Sequence, residues 1–177
     1  MMRELARLQD ALAAVVTGAA HEADATPLAG LSGDDVARYA RGLRRKRWQE
    51  VARSLPLSAR VIVGLEARYD RWLCAHPPVA CDGVLPPGLA EASRALADLT
   101  RGLGADPGEA SWAADLLAFE VAAGCARADG GRRELRARHA VHEIAAELRV
   151  GLVPVDPPLA PHAYVFEGSA MRWRRLP

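Results

Sequence analysis

Near the end of the chain stands Ala163-Tyr164-Val165-Phe166-Glu167-Gly168-Ser169-Ala170-Met171-Arg172-Trp173-Arg174. Two runs of aromatic and β-branched residues flank a connection that contains glycine, which is the pattern of a β-hairpin. Strand alternation puts Tyr164 and Phe166 on one face and Val165 on the other. On the second run Met171 and Trp173 share a face, with Arg172 and Arg174 opposite. Two strands alone are marginal in water. The hairpin therefore needs a third strand, a helix beneath it, or a partner.

Working outward, Leu152-Val153-Pro154-Val155 reads as a short β-type run, and the prolines 157, 158 and 161 mark a loop. Residues 132–149 fit a helix through Leu135, Val141, Ile144, Ala145 and Leu148. Partial alternation over Arg136 to Glu143 leaves a strand open.

Earlier segments read as helices. Leu5, Leu8, Leu12, Val15 and Val16 give an apolar stripe over Glu4–Val16, and 18–31 reads as a loop. Ser32-Gly33-Asp34-Asp35 is an N-cap with acids in the first turn. The helix after it is expected to turn Val36, Tyr39, Leu43, Val51 and Leu55 inward. Its exposed face is expected to carry Arg41, Arg44, Arg45, Lys46, Arg47 and Arg53, and Pro56 stops it. A single helix follows over Ser58–Ala75, then a linker of four prolines and a glycine over 76–87. Leu89–Leu99 is the next helix, broken at Arg101-Gly102-Leu103-Gly104. Asp106-Pro107-Gly108-Glu109 starts another, which carries Trp112, Leu116, Leu117, Phe119, Val121 and Ala123 and closes at Gly130-Gly131.

The expected fold is mainly α: a helical domain over 1–131, then a helix/strand segment over 132–177 that ends in the hairpin as a small C-terminal antiparallel β-sheet. The 177 residues suffice for a core without covalent staples. Half are apolar and a quarter charged, the balance of a globular protein. A net charge of +1 excludes a global basic field of the kind that holds nucleic acid. Cys74, Cys81 and Cys125 are odd in number and form no C-x-x-C pair, so reduced, incidental thiols are expected. The opening Met1-Met2-Arg3-Glu4-Leu5 does not read as a signal peptide. No run approaches the roughly 18 apolar residues of a membrane span. A cytoplasmic protein is expected.

Catalytic patterns are missing. There is no G-x-S-x-G elbow and no Gly-rich phosphate loop. His139-Ala140-Val141-His142-Glu143 sets two imidazoles three residues apart with a carboxylate beside them, a spacing that shares one helix face and suits a metal, although no further ligand is evident beyond Glu147, which is possible on geometry. The favoured reading of these residues is an ordinary helix surface, with no catalytic residue and no metal in the chain. The run Arg44-Arg45-Lys46-Arg47 with Trp48 reads as a solvated face or partner contact. A nucleic-acid-binding regulator using Arg44–Arg47 is the alternative. The hairpin offers a third kind of site. An extended peptide can add to a free sheet edge, and Tyr164, Val165, Phe166, Met171 and Trp173 are the candidate residues.

Several pieces in order carry a family resemblance: Leu8-Gln9, Tyr39-Ala40-Arg41-Gly42-Leu43, Leu55-Pro56 with Gly64 and His76-Pro77-Pro78, and Trp112 through Glu120. Together they resemble the MbnC/HvfC-like partner proteins, a family long labelled as DNA-binding domains, and the likeness covers most of residues 4–128. The resemblance implies a non-catalytic accessory subunit that forms a heterodimer with a multinuclear non-haem iron oxidative enzyme. It implies iron in that enzyme and no cofactor in this chain. It also implies recognition of the leader of a ribosomally made precursor peptide whose cysteines are modified, as in methanobactin-like biosynthesis. A helical N-terminal part with a small C-terminal sheet is the layout it implies. No binding residue is carried over from the family.

Overall fold

The computed structural model describes residues 14, 32–76, 83–104 and 109–177. The helix expected over Glu4–Val16 and the loop over 18–31 lie outside the described residues apart from Ala14, as does Cys81. The described part is mainly helical with a small C-terminal antiparallel sheet, as expected.

Helix α1 spans Gly33–Ser54. Ser32 accepts from the Asp35 N–H while the Asp35 carboxylate takes the Ser32 N–H, a reciprocal capping box worth about 1 kcal/mol. The buried stripe is Val36, Ala37, Ala40 and Val51, so Tyr39, expected inside, is 57% exposed. The same helical arithmetic revises the basic run. Arg44, Arg47 and Trp48 lie seven, four and three positions before Val51 and share its face, whereas Arg45 and Lys46 point the other way. Arg47 is accordingly turned in, with 18% of its side chain exposed.

The helix expected over Ser58–Ala75 is two: α2, Pro56–Val61, and α3, Leu65–Ala75. Gly64, at φ +73°, occupies a left-handed conformation between them that L side chains rarely adopt. Helix α4, Pro87–Thr100, begins with proline in its first turn. It crosses α1 at Gly88, where an added Cβ would lie 2.2 Å from the Glu50 carbonyl oxygen. That glycine sets how closely the two helices approach.

Helix α5, Ala113–Asp129, is apolar on several sides because it is shared. Leu117, Val121 and Cys125 join the helical core with Leu55, Tyr69 and Leu73. Trp112, Leu116, Phe119 and Ala126 join a second core under the sheet. The helix starts later than expected. Glu109 does not begin it, but accepts from the Gly104 N–H at 2.9 Å and pairs with Arg68 at 2.8 Å. Pro107 and its neighbours lie outside the described residues.

Residues 132–149 prove to be both alternatives in turn: strand β1, Arg132–Ala137, then helix α6, Val141–Arg149. Strands β2, His162–Glu167, and β3, Ala170–Arg175, form the expected hairpin about Gly168-Ser169. The sheet order is β1-β2-β3, all antiparallel, so β2 is central. The third strand that the hairpin required is β1. Leu152–Val155 is not a strand. Val153 and Val155 are exposed, and the Pro154 carbonyl accepts from Trp112 Nε1 at 3.3 Å. Pro154 also has no N–H to give a ladder. Among the described residues no helix is long and apolar enough to cross a membrane.

Candidate functional site

The register decides which hairpin residues can meet a ligand. Tyr164 pairs with Leu135 on one side and Trp173 on the other, and Phe166 with Arg133 and Met171. Residues directly opposite share a face. That face lies on α5 and α6. Phe119 meets the Tyr164 and Phe166 rings edge-on, each with centroids 5.2 Å apart. Tyr164 and Phe166 are fully buried, so of the five candidate residues these two are core and cannot face a peptide. Val165 is half-buried on the outer face, between Glu134 and Arg172. Met171 and Trp173 remain 40% and 49% exposed on the edge strand.

The main chain of that edge is open. The Leu176 N–H donates to the Pro161 carbonyl at 2.8 Å. Hydrogen-bonded pairs recur every second residue in an antiparallel ladder. Counting back, Ala163·Arg174, Val165·Arg172 and Glu167·Ala170 are the bonded pairs of this register. Met171, Trp173 and Arg175 therefore turn their N–H and C=O groups away from β2. Among the described residues nothing takes these groups up. All six residues of β3 are exposed.

Beneath the edge, α6 supports β3 through His142. Its ring stacks on Trp173 with centroids 4.0 Å apart, and its Nδ1 lies 3.0 Å from Tyr164 Oη. Burial pushes the His142 pKa down. Glu143 opposes that shift and His162 adds to it. Burial likewise raises the Tyr164 hydroxyl. A cavity of about 210 Å³ opens beside the start of β3, floored by Phe119, Ala123, Phe166 and Met171. Arg127 and Arg149 stand at its wall.

The two imidazoles proposed as a metal pair are not on one face. Helix α6 starts at Val141, so His139 precedes it, and the three-residue spacing never becomes a helical one. His139 is 1% exposed, and its Nδ1 lies 2.7 Å from Asp115 Oδ2. Among the described residues no group of three His, Cys, Asp or Glu is placed to hold a metal. His139 Nε2 also lies 3.3 Å from Ser111 Oγ, which completes a Ser111–His139–Asp115 chain that no sequence motif announced. Its geometry is that of a staple. The same Asp115 oxygen accepts from the Arg138 and His139 N–H groups at 2.9 and 3.2 Å, tying α5 to the turn after β1. The neighbouring cavity is lined by Ala110, Trp112 and Ala113 and not by Ser111.

The basic run does not form one surface either. Both Nε and Nη2 of Arg47 reach Glu91 Oε1, at 3.0 and 2.6 Å, while the Tyr69 hydroxyl donates to the other Glu91 oxygen. Trp48 packs on Tyr69 at 5.7 Å between centroids. Arg47 and Trp48 thus hold α1, α3 and α4 together. Arg44 is half-buried, and Arg45 and Lys46 are the exposed cations of the run.

No family model matches the chain, nor does any curated protein or solved structure.

Proposed function

We propose that the protein is a non-catalytic accessory subunit that binds a precursor peptide as a fourth strand along β3. On this reading it presents the peptide to a multinuclear iron oxidative enzyme, and the iron and its ligands belong to that enzyme. The setting is cytoplasmic. The reading combines the family resemblance with one observation: the outward N–H and C=O groups of Met171, Trp173 and Arg175. These are three donors and three acceptors in the spacing an extended chain requires. Each main-chain bond contributes about 0.5–1.5 kcal/mol net, so the edge supplies affinity, while side-chain sites set register.

Strand β1 is the other edge. The same alternation turns the main-chain groups of Arg132, Glu134 and Arg136 outward there, but the Arg132 carbonyl already accepts from the Arg133 guanidinium at 3.0 Å. Strand β3 instead offers the exposed Trp173, and Met171 beside a cavity. The test is gel filtration of the protein with a multinuclear iron oxidative enzyme and a short cysteine-containing precursor peptide, should its neighbouring genes encode them. Co-elution of all three, with the peptide lost on Met171→Pro, is the expected result. Separate elution with peptide present overturns the reading.

A further inference from the structure

We infer that the segment received along β3 is acidic, and that one of its carboxylates enters the groove walled by Arg127 and Arg149. The inference rests on the strand-addition reading and adds the chemistry of the ligand.

The cavity beside Met171 shares Phe119, Ala123, Arg127 and Arg149 with a second cavity of about 270 Å³, so the two form one groove across α5. The second reaches Ser54 and Leu57. Phe119 and Ala123 give the shared lining an apolar character, and the exposed Arg127 and Arg149 line the same space. Arg127 and Arg149 are exposed at the rim of this groove, whereas the more buried Arg47 and Arg68 are answered by Glu91 and Glu109. Among the described residues neither Arg127 nor Arg149 has an acidic partner. The one carboxylate in the groove wall, Glu120, is committed elsewhere. Its two oxygens accept the Leu57 and Ser58 N–H groups at 3.0 and 2.7 Å.

The edge carries the same sign. Residues 168–177 contain Arg172, Arg174 and Arg175 and no acid. Arg172 is paired with Glu167 at 2.5 Å, whereas Arg174 and Arg175 have no such partner among the described residues. In a chain of net charge +1 this is a local concentration of positive charge beside open main-chain groups. An incoming strand would set alternate side chains over the Arg172 and Arg174 face. The side chains between them would lie toward Met171, Trp173 and the groove. Charge complementarity of this kind governs specificity and association rate, and it is screened by salt.

The test uses two ten-residue peptides that differ only in carrying Glu or Lys at alternate positions, titrated calorimetrically into the full chain. The Glu peptide is expected to bind at least tenfold more tightly, with the advantage shrinking as salt rises. Arg127→Gln with Arg149→Gln is expected to cut that advantage about tenfold while leaving the melting temperature unchanged. Met171→Pro is expected to abolish binding of either peptide. Equal affinities that are lost in Met171→Pro overturn the acidic ligand and leave strand addition standing. Preference for Glu that persists in Met171→Pro keeps the acidic groove and overturns strand addition. Binding of neither peptide overturns the inference. So does a single-stranded oligonucleotide that binds more tightly than the Glu peptide and is lost in the arginine double variant.

Discussion

The imidazole of His142 lies against the indole of Trp173, with centroids 4.0 Å apart and planes inclined by 29°. This one stacking joins helix α6 to the edge strand. It sets a titratable ring beneath β3, so the stability of the sheet depends on the charge of a histidine.

That dependence has a sign. Burial lowers the folded pKa of His142 below its ordinary 6.5, with Glu143 opposing and His162 reinforcing the shift. Between the folded and unfolded pKa values the unfolded chain binds more protons. The stability is therefore present above about pH 6.5 and is lost as pH falls through the folded pKa. The melting temperature, followed from pH 7.5 to 5, is expected to drop in this window. His142→Phe is expected to flatten the drop.

Proline separates the centre of the sheet from its edge. The Tyr164 N–H points into the β1 ladder, and its ring is core. Tyr164→Pro is expected to cost about 3 kcal/mol or more and to unfold the C-terminal part. The Met171 N–H points outward, so Met171→Pro is expected to cost less than about 1 kcal/mol. Chemical denaturation of both variants checks the difference.

Glycine marks the crossing of α1 and α4. Gly88→Ala is expected to destabilise by about 1–3 kcal/mol, because the new methyl meets the Glu50 carbonyl. Gly42→Ala, within α1 and with nothing inside 4 Å of its Cβ position, is expected to stabilise by about 0.5–1 kcal/mol. Thermal melts of the two variants should move in opposite directions.

The Ser111–His139–Asp115 chain separates a staple from a catalytic site. Asp115→Ala leaves the Arg138 and His139 donors without their acceptor and is expected to cost about 1–3 kcal/mol. Ser111→Ala removes only the long contact to buried His139 Nε2 and is expected to cost less than Asp115→Ala, about 0.5–1.5 kcal/mol. A serine-reactive fluorophosphonate is expected to leave Ser111 unlabelled, and stoichiometric labelling would contradict the non-catalytic reading.

The hairpin was legible because Tyr164, Phe166, Met171 and Trp173 alternate around a glycine turn. Strand β1 was not. Arg-Arg-Glu-Leu-Arg-Ala over 132–137 contains no β-branched or aromatic residue, and its strand state comes from pairing with β2. The inward turn of Arg47 was available from helical spacing to Val51, but consecutive basic residues suggest one surface when read as a run. The break at Gly64 is a local outcome and the late start of α5 a tertiary one. In the first a left-handed glycine joins two helices, and in the second Arg68 and Gly104 capture Glu109. The groove was invisible for a simpler reason. Arg127 and Arg149 are far apart in the chain, on α5 and α6, and only folding brings them to the same space.

Amide hydrogen exchange at β3 tests the central claim most directly. In the free protein the N–H groups of Met171, Trp173 and Arg175 point to solvent and are expected to exchange fast, while those of Arg172 and Arg174 are protected by β2. With the precursor peptide bound, Met171, Trp173 and Arg175 are expected to become protected at least tenfold. Peptide binding that leaves these three amides as fast as before would contradict strand addition along β3.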